Sequence, residues 1–402
     1  MESALNRLSA NDSYPVKRWH MQADITPLLV GLLIFVASLV SLRLGLSVAI
    51  IEILLGAAVG NTGMLQAEGW MTLLAGLGGI VLTFLAGTEI DIGLMREKFK
   101  ESFLIGLSSF LLPFAGVFMF TYFVVGWGLS ASLIAGTALS TTSLAVVYSV
   151  LVETGLSRTQ IGKIIMASTF VTDMGTALAL SVLFIKPTAY TAIFIVVSLA
   201  VIVIAMRFSH LVFHNPLLNN KVIEPEIKYV FLLLLIFQFF ANLGDGHAVL
   251  PAFVLGLLMS KHFNETKESR EVRNRLRTVA YAIITPVFFI VGGLNVSVPL
   301  IMSGLLLFLV LFALKLLMKF VGVYFLAKKY IPDGSVYTTL LMSTGLTFGT
   351  IASAFGLTSG IIDQVQYSIV VGVVVASAVI PTFIAQQWFR PVHSEDRVDI
   401  RG

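Results

Sequence analysis

Cysteine is absent from this 402-residue chain, which excludes disulfides, thiolate catalysis and thiolate-bound metals. Charge is scarce: 12% of the residues are Asp, Glu, Lys or Arg, against about 25% in an ordinary soluble domain. A phosphate loop, a metal-ligand cluster and a nucleophile spaced against a base are all missing, so an enzyme has little support. What is present is apolar. Hydrophobic residues make up 57% of the chain and the mean hydropathy is +0.93, a composition whose natural solvent is lipid. The net charge of +4 does not point to nucleic acid, because the basic residues sit in short loops between apolar runs.

Runs of about 17–25 apolar residues are candidates for crossing a bilayer. Thirteen candidates are counted, the ninth of them short, at 24–42, 46–61, 70–92, 102–126, 128–151, 161–184, 189–207, 228–243, 247–260, 278–296, 299–327, 336–357 and 366–388. A polar segment, 1–23, precedes them and a short tail, 389–402, follows. The first run has no small-residue cleavage site after it and reads as a retained helix. No soluble regulatory domain is expected after the last run.

Arg43, Arg96, Lys98, Lys100, Arg158, Lys163, Lys221, Lys228, the dense stretch 261–277, Lys328, Lys329 and Arg390 fall in the odd-numbered loops and the tail. The even-numbered loops hold essentially Lys186 alone. The positive-inside rule then places the odd loops and the C-terminus in the cytoplasm and the N-terminus outside, although Arg7, Lys17 and Arg18 lean the other way.

Runs 1–6 and 8–13 compare as two halves with the seventh as connector. The step of seven is odd, so the halves are inverted relative to each other. The fifth run carries Gly136-Thr137-Ala138-Leu139-Ser140-Thr141-Thr142-Ser143, and its counterpart, the twelfth, carries Ser343-Thr344-Gly345-Leu346-Thr347-Phe348-Gly349-Thr350. Interruptions at matching positions of two inverted halves point to a transport site. They make Thr141, Thr142, Ser143, Ser343, Thr344 and Thr347 candidates to line it. The competing reading is that small residues here only let helices pack closely.

Asp173 is the central observation. It lies ten residues from Lys163, about 15 Å along a helix, and half a bilayer core is also about 15 Å. A carboxylate at mid-depth is costly and by default functional. It can hold a proton or an alkali ion (Na⁺ or K⁺), not both, which is the competition an antiporter needs. The alternative is a neutral Asp bonded to neighbouring hydroxyls. Thr172 could add an oxygen ligand or bond its own helix. Lys319 lies nine residues from Lys328, at similar depth, and is expected to pair with Asp173. Lys315, one turn away, is its rival. Glu52, inside the second run, could line an access path or a subunit contact. Glu89 and Asp91 read as a solvated mouth, Asp245 and His247 as an outer turn, and 261–277 as mainly a topology signal.

Several segments, in this order, resemble the cation:proton antiporter superfamily in its Kef-type and Nap-type branch. They are Ile51-Glu52-Ile53-Leu54-Leu55-Gly56, Phe84-Leu85-Ala86-Gly87-Thr88-Glu89-Ile90-Asp91, 138–147, Phe170-Val171-Thr172-Asp173, Pro251-Ala252-Phe253-Val254-Leu255-Gly256, Thr285-Pro286-Val287-Phe288-Phe289 and 319–328. The resemblance covers nearly all thirteen runs. It implies an all-α polytopic fold of two inverted repeats with crossed discontinuous helices. It also implies a homodimer built on 24–92 and 228–296, a mobile core of 102–184 and 299–388 moving as an elevator, and 189–207 as linker. It makes Asp173 the transport carboxylate and Lys319 the core lysine. Two positions depart from the family pattern: Thr172 stands where electrogenic members often carry a second acid or Asn, and Thr344 where a basic residue is usual. The expected activity is exchange of H⁺ for Na⁺, with K⁺ as alternative, across the plasma membrane and without a cofactor. A cation channel without strict proton coupling is the other reading.

Overall fold

The computed structural model describes residues 25–89, 98–184, 188–214, 223–243, 248–265 and 267–391. The segment 1–23, Asp91, Arg96, Lys186, Lys221, Asp245, His247 and the tail beyond 391 lie outside them.

All of the regular structure described is helical. The first half comprises α1 (Thr26–Leu44), α2 (Val48–Asn61), α3 (Gly69–Thr88), α4 (Phe99–Met119, prolonged by a π-helical turn, Phe120–Val125), α5 (Leu129–Ser140), α6 (Leu144–Glu153) and α7 (Gln160–Leu183). Helix α8 (Ala189–His214) connects it to the second half. There follow α9 (Pro225–Leu243), α10 (Val249–Glu265), α11 (Lys267–Val279), α12 (Thr285–Leu294), α13 (Val298–Ser303), α14 (Leu305–Lys319), α15 (Phe325–Tyr330), α16 (Ser335–Met342), α17 (Thr347–Thr358) and α18 (Gln364–Trp388). Among the described residues, eleven helices are long and apolar enough to cross a membrane, and two shorter ones, Val48–Asn61 and Val249–Phe263, are also apolar. Together they account for the thirteen runs.

The interruptions expected in the fifth and twelfth runs are present. The fifth and twelfth runs are each two half-helices: α5 and α6 flank residues 141–143, and α16 and α17 flank 343–346. The stretch 261–277 is not a loop; it is helical on both sides of residue 266. Its Lys, Arg and Glu residues are good helix formers, and some of its charges are used: Arg275 Nε bonds Glu224 at 3.0 Å and Arg277 meets Glu89 at 3.3 Å.

The inverted repeat is visible in the packing. Helix α2 lies against α12, and α3 against α10. Counting by runs, these are the second with the tenth and the third with the ninth, which is the pairing an inverted duplication produces. Both contacts depend on glycine. A methyl added at Gly56 would lie 2.3 Å from Ile290 O, and one at Gly293 2.1 Å from Ile53 O. At Gly87 and Gly256 the values are 2.5 Å to Phe253 O and 2.1 Å to Phe84 O. With lipid as solvent there is no hydrophobic drive between helices, so backbone approach through small residues supplies the association.

The ends of the helices sort into two faces. At one, Asn61 Nδ2 donates to Val296 O at 2.7 Å, Ser297 N to Ser368 Oγ at 2.9 Å and Thr26 Oγ1 to Glu68 at 2.8 Å. At the other, Arg390 Nη2 donates to Thr154 O at 2.9 Å, and the Arg277–Glu89 and Arg275–Glu224 pairs form. The second face is the basic one.

Candidate ion site

The two broken helices cross. Ser143 N donates to Thr344 O at 3.2 Å, Thr142 Oγ1 to Met342 O at 2.8 Å, and the Ser143 and Thr347 hydroxyls lie 3.5 Å apart. The backbone between half-helices cannot make its own ladder, so each break satisfies the other inside protein, the condition under which irregular backbone is tolerated at membrane depth. Gly345 is what lets them touch: a methyl there would lie 2.6 Å from Lys315 Nζ and 2.8 Å from Thr141 O.

Asp173, on α7, is 2% exposed, and its Oδ1 is buried without a hydrogen-bond partner. It lines a cavity of about 20 Å³ together with Leu82, Ala86, Glu89, Leu144, Ala145, Tyr281, Thr347 and Phe348. That volume suffices for about one water-sized sphere. Leu144 and Thr347 are the first residues of α6 and α17, so the carboxylate faces two helix N-termini, whose partial positive charge favours an anion. The opposite ends carry partial negative charge, and the lysines lie there. Lys319 Nζ donates to Thr142 Oγ1 at 3.0 Å, the hydroxyl that itself caps Met342 O at the end of α16. Lys315 lies, like Thr141 at the end of α5, against Gly345, and donates to Ser377 Oγ at 2.8 Å.

The expected Lys319–Asp173 ion pair is therefore not formed in this state. Lys319 bonds Ser109 Oγ at 2.8 Å and Thr142 Oγ1 at 3.0 Å instead. Lys315 does not pair with Asp173 either. Thr172 takes the plainer of its two roles: its hydroxyl donates to Ser168 O, four residues back, at 3.0 Å, and it is absent from the cavity lining. Ser343 and Thr344 likewise donate to their own helix, to Thr339 O at 2.7 Å and Leu341 O at 2.8 Å. Thr141 donates to Ala138 O at 3.1 Å. Of the crossover hydroxyls, Thr347 alone lines the cavity, with Ser143 behind it. Glu52 is buried, 2% exposed, but outside the cavity.

Two lining residues escaped the sequence reading. Glu89, read as part of a solvated mouth, is partly exposed at the end of α3 and also lines the cavity; an acid ending an apolar run was its signal. Tyr281 was not singled out at all; a hydroxyl within an apolar run was the available clue.

A larger cavity, of about 740 Å³, opens at the sparsely charged face between α3, α9, α10 and α12 on one side and α17 and α18 on the other, with Gln238, Asn242, Asn295 and Gln364 among its polar lining. It stops short of Asp173. Along α17, Ile351 lines the outer cavity and Phe348 the inner one; along α3, Gly79 and Leu82 do the same. Three residues rise about 4.5 Å, just under one helical turn, so one apolar layer separates the two spaces.

Replacing Lys319 by Met removes the donor to Ser109 and Thr142 and leaves two buried hydroxyl oxygens short of a partner. The expected cost is about 1–3 kcal/mol, read as a lower melting temperature in detergent; an unchanged value would mean that the crossover does not depend on this amine.

A polytopic all-helical membrane protein with crossed half-helices around one buried carboxylate is a secondary transporter by class. The chain belongs to the sodium/hydrogen exchanger family: the transmembrane profile of that family matches residues 30–390. Among curated relatives it is 25% identical over 344 residues to a probable Na(+)/H(+) antiporter 3 of Methanocaldococcus jannaschii, covering 83% of this chain and 88% of that one. It is 27% identical over 379 residues to a Na(+)/H(+) antiporter of Enterococcus hirae, covering 89% and 96%. The Na(+)/H(+)-K(+) antiporter GerN of Bacillus cereus is 23% identical, with 85% and 89% covered. The fold matches that of the sodium proton antiporter MjNhaP1 of Methanocaldococcus jannaschii at a TM-score of 0.66 and 14% identity, over 89% of this chain and 99% of that one.

Proposed function

We propose that this protein exchanges protons for a monovalent cation, Na⁺ first and K⁺ as alternative, with Asp173 holding proton and cation in turn. The observation that carries this is the Asp173 carboxyl: buried, unpartnered at Oδ1, in a space for one small ion, and facing two helix N-termini. The names of the relatives, sodium/proton antiporters and one that also handles potassium, agree with it.

Coupling follows from the cost of a bare buried charge, which is several kcal/mol per ion even after relaxation. An ionised, unloaded Asp173 cannot cheaply cross the apolar layer formed by Phe348 and Ile351. A carboxyl carrying H⁺ or a bound cation is neutralised and can. The site therefore changes sides loaded with one ion or the other, and no net passage of cation occurs without a proton going back. A cation at Asp173 would meet oxygens of the kind hard cations prefer, with Thr347 and Glu89 in the same lining. Lys319, already held by two hydroxyls, balances the charge without occupying the cation's place.

The same reading carries a homodimer through the parts 24–92 and 228–296, a core of 102–184 and 299–388 that slides against them as an elevator, and α8 as the link. It places the chain in the plasma membrane with the basic face in the cytoplasm, supported by the loop charges. The site near Asp173 then lies on the cytoplasmic side of the apolar layer and the large cavity on the outer side.

The test is exchange by purified protein in liposomes loaded with a pH dye, with steps of Na⁺, K⁺ and Li⁺ and an imposed voltage. A cation step is expected to drive internal pH change, and a pH step to drive cation flux. Cation flux that persists with no movement of protons would sink exchange and leave a channel.

A further inference from the structure

A third cavity, of about 390 Å³, lies between α7, α8 and α10, away from the ion site. Leu180, Val182, Ile195, Ser198, Leu199 and Val254 represent its walls, and no charged residue lines it. Its volume is in the range of small-ligand pockets. Three features of the cavity identify what it holds. First, it opens sideways: its wall residues Val182, Ile195 and Leu199 are 63%, 43% and 60% exposed, on helices that face lipid, so the cavity is continuous with the lipid-facing surface. Second, its walls on α8 run from Thr191 to Ile202, about 16 Å at 1.5 Å per residue, the depth of one leaflet's hydrocarbon, about 15 Å. Third, its polarity is confined to a few hydroxyls. Ser181 Oγ and Ser198 Oγ are buried without hydrogen-bond partners, and Ser181 sits two residues from the end of α7, where lipid esters lie.

We propose that this cavity binds one acyl chain of a phospholipid, drawn from the leaflet at the sparsely charged face, with Ser181 Oγ donating to its ester carbonyl. The chain lies lengthwise under α8, and its tail reaches Ser198, whose small side chain leaves the space a Leu or Phe would fill. The bound chain is thus a wedge between α7 and α10. This assignment is independent of the exchange reaction: it concerns lipid, not the ion.

The test uses the full chain in nanodiscs containing a phospholipid with a diazirine in its acyl chain, followed by irradiation and peptide mass spectrometry. Adducts on 191–202 and 250–254 are expected several-fold above those on the exposed residues Leu306, Leu309 and Leu317 of α14, which lie outside the proposed dimer contact. Ser198→Phe, and Val254→Phe from the opposite wall, should bring them down to the α14 level while leaving the α14 adducts unchanged. Ser181→Ala, which removes a single oxygen and serves if the larger substitutions fail to fold, should lower them several-fold. Labelling at the cavity no denser than on α14, or insensitive to all three substitutions, would overturn the proposal. So would labelling by a diazirine fatty acid that the phospholipid does not reproduce.

Discussion

Asp173→Asn is expected to reduce exchange to background while leaving the protein folded. The substitution keeps the shape of the side chain and removes its capacity to ionise. Because Oδ1 has no partner to lose, and burying an ionised carboxylate costs several kcal/mol, the variant should melt at or above the wild-type temperature in the absence of cation. The two should then diverge on adding salt. A ligand that binds only the folded state stabilises it by RT ln(1 + [L]/Kd), about 2.7 kcal/mol at a hundredfold excess over Kd. Wild type should therefore show a rise in melting temperature specific to the transported cation, and Asp173→Asn should not. Two measurements decide the matter: exchange in liposomes, and melting with Na⁺ or K⁺ against choline at equal ionic strength. Retained exchange, or a cation-specific rise that survives the substitution, would remove Asp173 from the mechanism.

Gly345→Ala should be nearly as damaging, for a packing reason rather than a chemical one. The added methyl would fall 2.6 Å from Lys315 Nζ, 2.7 Å from Thr141 Oγ1 and 2.8 Å from Thr141 O. The amine could swing aside, but a backbone carbonyl at the crossing has nowhere to go. Overpacking of this kind costs about 1–3 kcal/mol. Here the strain falls on the Ser143–Thr344 contact that sets Thr347 beside Asp173, so exchange should drop far more than stability does. Gly31→Ala on α1 is the control: nothing lies within 4 Å of a methyl there, and it should change neither quantity. Wild-type exchange in Gly345→Ala would show that the crossing tolerates repacking and does not define the site.

Much of this was readable from local sequence. Hydropathy gave thirteen runs because a bilayer imposes one rule on every crossing segment: twenty or so apolar residues with their backbone satisfied internally. The Gly/Ser/Thr interruptions at 136–143 and 343–350 stood out for the same reason, being polar where lipid permits none. Asp173 was conspicuous by depth alone. The sequence left matters open where the answer depended on direction around a helix or on a distant partner. Thr172 sits next to the key acid in the chain but, on a helix, adjacent residues do not share a face, and its hydroxyl turns back to Ser168. Glu89 and Tyr281 come from different runs and meet only because the π-helical stretch Ala280–Ile284, just before α12, packs against α3. The helix through 267–279 was hidden by its charge, which reads as a loop when hydropathy is the criterion.

The sequence by itself determined that the chain lives in lipid, where its apolar runs lie, which ends of them carry the positive charge and which carboxyl falls in the middle of such a run. Each of these follows from the transfer cost of single residues or short windows, which needs no knowledge of neighbours. Only the tertiary structure decided which residues surround that carboxyl. Ser143 and Thr344 are 201 positions apart, Lys319 and Thr142 are 177 apart, and their contacts exist because two inverted halves close on each other through glycine. The hydroxyls that bind the lysine, the helix ends that face the acid and the single apolar turn that separates it from the outer cavity are products of that closure.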